Sequence, residues 1–211
     1  KQASYAFLDH SYQQEIPASM RVYRTPTREL YSIYLKLTGH SKVPFSGFVR
    51  EGHITLKEKI IRFLRTNLFI PDPRRGWNHF AVKKASQLIR QEKIDRIVTS
   101  GPPQSTHLIG LRLKKKFPGL LWLADFRDPG TRVFFFDQLE HSCYSRSRHH
   151  AMERKVLSMA DRITVVSHSM KKDFITDHTV DTGKISIIPN GYDSEDFAGT
   201  VTVSPATFTI T

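Results

Sequence analysis

The chain has 211 residues, enough for one sizeable α/β domain or one domain with an appended arm, and too few for two full catalytic domains. With 39% hydrophobic and 25% charged residues it lies in the range of folded globular chains; no apolar stretch approaches the roughly 18 residues that span a bilayer, and no signal-like apolar core follows Lys1. The net charge of +12 suits acidic partners such as nucleic acid, anionic lipid or phosphorylated substrates, and equally suits a basic surface that only keeps the chain soluble.

From Lys1 to about Gly52 there is little periodicity beyond an extended piece at Met20 to Tyr23 and a Tyr-rich stretch at Leu30 to Leu37, so an arm or partly helical excursion is expected. Leu56, Ile60, Ile61, Phe63, Leu64 and Leu68 then recur at helical spacing opposite Lys59, Arg62 and Arg65, which predicts a basic amphipathic helix over Leu56 to Phe69. It has two readings: contact with an anionic membrane, or packing on its own domain with a solvated charged face. Pro71 and Pro73 end it. A second helix is predicted from about Trp77 to Gln91, with Ala81, Ala85, Leu88 and Ile89 on one face.

Beyond that helix short β-branched runs alternate with helices. Ile94 to Thr99, Leu120 to Ala124, Arg162 to Ser167 and Lys184 to Ile188 read as buried strands; Gln104 to Phe117, Ala151 to Met159 and Ser169 to Thr176 read as the helices between and around them. Parallel neighbours need crossovers of this length, so the expected fold is α/β, a Rossmann-like doubly wound parallel sheet. A glycine-bearing first turn is absent before Arg21, so the first β-α unit is expected to be missing. The tail from Ala198 to Thr211 loses the rhythm.

In open parallel sheets ligands bind beyond the carboxyl ends of the strands, which singles out four loops. Ser100-Gly101-Pro102-Pro103-Gln104-Ser105-Thr106-His107 offers a helix N-terminus to an anion or hydroxyl, or is a rigid turn and cap; lacking a Lys-Ser or Lys-Thr pair, it is no Walker loop. Ala124-Asp125-Phe126-Arg127-Asp128-Pro129 sets three charges at the end of a buried strand, which need either one another or a polar ligand. Ser167-His168-Ser169 reads as an N-cap, and Pro189-Asn190-Gly191-Tyr192-Asp193 as an exit turn. Cys143, His141, His149 and His150 match no usual zinc spacing, so no metal is expected. Cys143 is the single cysteine, which agrees with a reducing, cytoplasmic compartment.

Taken in order, the segments Asn67-Leu-Phe-Ile-Pro-Asp72, Asp95-Arg-Ile-Val-Thr-Ser-Gly-Pro-Pro-Gln-Ser-Thr-His107, Leu123-Ala-Asp-Phe-Arg-Asp-Pro129, Ala160-Asp-Arg-Ile-Thr-Val-Val-Ser167 and Ile188-Pro-Asn-Gly-Tyr-Asp193 resemble the N-terminal domain of family 4 retaining glycosyltransferases of the GT-B fold, in particular bacterial ones of surface polysaccharide assembly. The resemblance implies a hexosyltransferase that moves a sugar from a nucleotide-sugar donor to a glycan or lipid-linked acceptor with retention, using no cofactor. It implies that residues 1–197 form the acceptor-side domain and that 198–211 are linker and start of a missing C-terminal donor-binding domain, leaving this chain alone inactive. Carried over by motif, Asp125, Arg127 and Asp128 would be catalytic, and Ser100, Gly101, Pro102, His107, Asn190 and Gly191 would line the acceptor cleft. One carboxylate, Asp125 or Asp128, would position the acceptor hydroxyl, and Arg127 would hold a phosphate or order the loop. One departure stands out: the family commonly has Trp after Asp-Pro, and here it is Gly130. Enzymes acting on lipid-linked acceptors would sit peripherally at the inner face of the plasma membrane. The competing reading is a stand-alone Rossmann-like module for a phosphorylated small molecule or nucleic acid; strands without alternating aromatic and basic residues argue against nucleic acid.

Overall fold

The structure, a computed structural model, describes residues 16–28, 56–133, 136 and 138–193. Of the expected arm, 16–28 forms no regular helix or strand; the Tyr-rich stretch at Leu30 to Leu37 and the tail from Ala198 lie outside the described residues. In chain order the elements are α1 (Leu56–Leu68), a 3-10 turn (Pro73–Trp77), α2 (Asn78–Gln91), β1 (Arg96–Gly101), α3 (Ser105–Lys116), β2 (Leu121–Phe126), α4 (Cys143–Met159), β3 (Arg162–Val165), α5 (His168–His178), a 3-10 turn (Thr182–Lys184) and β4 (Ile185–Ile187).

The strands pair in parallel in the order β1-β2-β3-β4, giving the expected Rossmann-like α/β sheet flanked by helices. Strand alternation splits the sheet into two faces. Trp122, Ala124 and Phe126 of β2, Ile163 and Val165 of β3 and Ile185 of β4 share a core with Leu108 and Leu111 of α3, Val156 and Leu157 of α4, and Met170 and Phe174 of α5. All three crossover helices therefore cover one face, as right-handed connections between successive neighbours require. Each large apolar side chain buried there contributes about 1.5–3 kcal/mol. Ala81 and Ile89 of α2 pack beside α3 on Ile109, Leu113 and Leu120 in a second cluster.

On the opposite face the register aligns Val98 with Leu123 and Arg162, and Ser100 with Asp125, Thr164 and Ser186. Val98 is 64% exposed and Leu121 49%, so this face is open toward the β1 edge.

The ends of β1 and β2 and the start of α4 depart from the sequence reading for physical reasons. β1 and β2 run on through Ser100-Gly101 and Asp125-Phe126, because the ladder pairs these residues even though the β-branched run has ended. Asp125 is thus a strand residue, not part of the following loop. α4 begins at Cys143 instead of Ala151: its first turns are polar and lack an apolar stripe, but Ser142 caps them by accepting the Ser145 N–H at 3.1 Å.

The described apolar side chains of α1 from Leu56 to Leu68 are not buried against the domain. Leu56, Ile60, Phe63, Leu64 and Leu68 are 44–73% exposed. The helix is tied down at its C-terminal end instead, where Asn67 donates to Glu140 O at 2.9 Å and accepts the Ser142 N–H at 2.7 Å.

Candidate functional site

The carboxyl ends of β1, β2 and β3 assemble a polar row on the face opposite the core, exposed at Ser100, half-buried at Asp125 and buried at Thr164. Ser100 Oγ donates to Asp125 Oδ2 at 2.6 Å and Thr164 Oγ1 donates to Asp125 Oδ1 at 2.7 Å, so one carboxylate is held by hydroxyls from both neighbouring strands. The row exists because serine, aspartate and threonine occupy the same register position, and alternation turns them away from the core. Arg127 Nη1 stands 4.0 Å from Asp125 Oδ2, a loose ion pair at the surface. Asp128 is exposed, and among the described residues its side chain has no hydrogen-bond partner, while its carbonyl accepts from Gln104 Nε2 at 3.2 Å.

The cleft residues expected from the sequence divide into two groups. Ser100 is exposed and bonded to Asp125, Pro102 is exposed in the turn after β1, and Asn190 and Gly191 are exposed beyond β4. Gly101 and His107 are buried: His107, 1% exposed, lies beneath the turn, stacked on Phe126 at a centroid distance of 4.1 Å, and a Cβ on Gly101 would stand 2.7 Å from its Nε2. Thr99 Oγ1 accepts from Trp122 Nε1 at 2.8 Å and lies 3.0 Å from His107 Nδ1. Burial pushes the His107 pKa down to about 4, against the opposing charges of Asp125 and Glu153.

The N-terminus of α3, one candidate anion site in the sequence, is taken by the chain's own carboxylate. Asp72 accepts the Ser105 N–H at 2.6 Å, Ser105 Oγ at 2.8 Å and the Arg74 N–H at 2.9 Å. Burial pushes its pKa up, outweighing the bonds from Ser105 and Arg74. The N-terminus of α3 is therefore capped from outside the turn, by Asp72.

Beneath the Arg127–Thr131 loop lies a group the sequence did not reveal. Glu153 of α4 is buried, and accepts the Thr131 N–H at 3.1 Å and Thr131 Oγ1 at 2.6 Å; Nε2 of His178, at the end of α5, lies 2.8 Å from its Oε2. Burial pushes the Glu153 carboxyl up, but bonds from His178 and Thr131 outweigh it and hold the group below the usual range. A Cβ on Gly130 would stand 2.5 Å from Glu153 Oε1, so the residue in place of the family's tryptophan is the one that lets the loop settle on this carboxylate.

Residues 45–196 match the sequence profile of Glycosyltransferase Family 4. The chain belongs to glycosyltransferase family 4. No curated protein matches it. The family assigns a transferase that works on a sugar donor and an acceptor, and the open parallel sheet agrees with a Rossmann-like N-terminal domain. Among the described residues no helix is long and apolar enough to cross a membrane.

The signals for Thr164, Glu153 and His178 were weak in the sequence. Thr164 could have been found from β3 alternation, since Ile163 and Val165 point to the core. Glu153 meets Thr131 and His178 only through the tertiary packing of α4 and α5.

Proposed function

We propose that the complete enzyme transfers a hexose from a nucleotide-sugar donor to a glycan or lipid-linked acceptor in bacterial surface polysaccharide assembly, with retention, and that this chain is its acceptor-side domain. The supporting observation is the Ser100–Asp125–Thr164 row, with Arg127 and Asp128 beside it, at the carboxyl ends of adjacent strands.

In such a transfer the acceptor oxygen forms a bond to the anomeric carbon, the bond to the nucleotide breaks, and the acceptor hydroxyl's proton passes to the departing phosphate. Asp128, exposed and uncommitted, orients that hydroxyl. Asp125 has both oxygens engaged by hydroxyls and steers Arg127, which binds an acceptor phosphate. Ser100, Pro102, Asn190 and Gly191 border the acceptor, while Gly101 and His107 act from beneath by fixing the turn. The nucleotide is gripped by the enzyme's donor-side domain, and no cofactor takes part.

Calorimetry with UDP- and GDP-sugars on this chain and on a full-length enzyme tests the division of labour. Donor binding is expected only in the full-length protein, because half a cleft supplies part of the contacts and none of the closure. Tight binding by this chain alone would favour a self-contained module for phosphorylated small molecules.

The exposed apolar side of α1, with Lys59 exposed alongside, favours peripheral contact with the cytoplasmic face of the plasma membrane, where a lipid-linked acceptor would be met. Stronger sedimentation with anionic than with neutral liposomes is expected; equal binding or none rules the contact out.

A further inference from the structure

Glu153 is an anion buried without an ordinary counter-ion. Its partners are a backbone N–H, a hydroxyl and an imidazole; among the described residues it has no ion pair with lysine or arginine. An isolated buried charge is costly unless a cation or a full set of donors meets it. His150 lies three residues before Glu153 on α4, so both side chains fall on one face of the helix, and His178 comes from the end of α5. The His178 side chain is 2% exposed, and its Nδ1 is buried with no hydrogen-bond partner among the described residues. One ligand atom from each of His150, Glu153 and His178 lies within 4.8 Å of the others.

We propose that His150, Glu153 and His178 form a binding site for a divalent transition-metal ion of the zinc class, which nothing in the glycosyl-transfer reading requires. Two imidazoles and one carboxylate are a donor set that suits Zn²⁺ and discriminates against Mg²⁺, which prefers oxygen ligands and keeps its waters. Bonds of about 2.1 Å to a tetrahedral ion set ligand atoms about 3.4 Å apart. The Glu153–His178 contact of 2.8 Å opens slightly to reach this, and the remaining separations of up to 4.8 Å close by side-chain rotation. Thr131 already orients the carboxylate through its N–H and hydroxyl, the outer-shell support that ligating carboxylates use. The ion would join α4 to α5 under the Arg127–Thr131 loop and hold that loop in place. The linear spacing of Cys143, His141, His149 and His150 pointed to no metal because two of these three ligands lie elsewhere in the sequence.

The test uses the chain itself and no sugar substrate, so it stands or falls apart from the transferase reading. Metal-stripped protein is titrated with Zn²⁺ in calorimetry, and the Co²⁺-loaded protein is examined for visible d–d absorption. One Zn²⁺ per chain, intense Co²⁺ bands and no competition from excess Mg²⁺ are expected. His150→Asn, a half-buried position that leaves the Thr131 contacts intact, should weaken Zn²⁺ by at least about tenfold with an unchanged circular dichroism spectrum. Glu153→Gln should do the same if it folds. Absence of zinc binding by the parent chain overturns the proposal, and so does undiminished binding by His150→Asn, which would move the metal to other histidines.

Discussion

Asp125 and Glu153 serve different ends with similar partners. Each accepts side-chain hydroxyl bonds, Asp125 from Ser100 and Thr164, Glu153 from Thr131, but Asp125 has its side chain 20% exposed and Glu153 is buried beneath the Arg127–Thr131 loop. The exposed one can present its charge to a ligand and be screened by solvent; the buried one must be satisfied internally, so its partners carry stability. The difference teaches that the rim beyond β2 has an outer side built for contact and an inner side built to hold the loop.

The comparison is broken most severely at the inner carboxylate. Glu153→Ala leaves the Thr131 donors and His178 without their acceptor in a dry site, and should cost about 3 kcal/mol or more, read as a lower urea midpoint. Protonation sharpens the same contrast. The folded pKa of His107 is depressed to about 4 by burial, so its contribution is full above the ordinary value near 6.5 and lost as pH falls toward 4. Stability should drop by about 3 kcal/mol across that window through this group, and His107→Gln should flatten the slope in denaturation series at several pH values. Glu153, also depressed, adds a further loss below its ordinary value near 4.5. The smallest change is expected on the open face: Asp125→Asn keeps shape and two hydrogen-bonding atoms, and should shift stability by less than about 1 kcal/mol in the same urea assay.

The parallel α/β plan was legible because each buried strand carries its own run, such as Ile163 and Val165 or Trp122 and Ala124, and each helix its own stripe. Strand ends were not, since Ser100, Gly101 and Asp125 pair in the ladder without β-branched side chains. The first turns of α4 were hidden by their polarity, and packing of α1 could not be read from amphipathicity alone, which describes a face without saying what covers it. Asp125, Arg127 and Asp128 were visible as charges beside a buried strand, whereas Asp72 at the α3 cap and Glu153 beneath the loop depend on contacts between distant segments.

Whether the outer rim receives the acceptor through Asp128 is read from the turnover of Asp128→Asn in the complete enzyme with its nucleotide sugar and acceptor. A fall in kcat of about a hundredfold, with the urea midpoint unchanged, is the expected result. Unchanged turnover would contradict the account and make that carboxylate a surface charge with no part in the transfer.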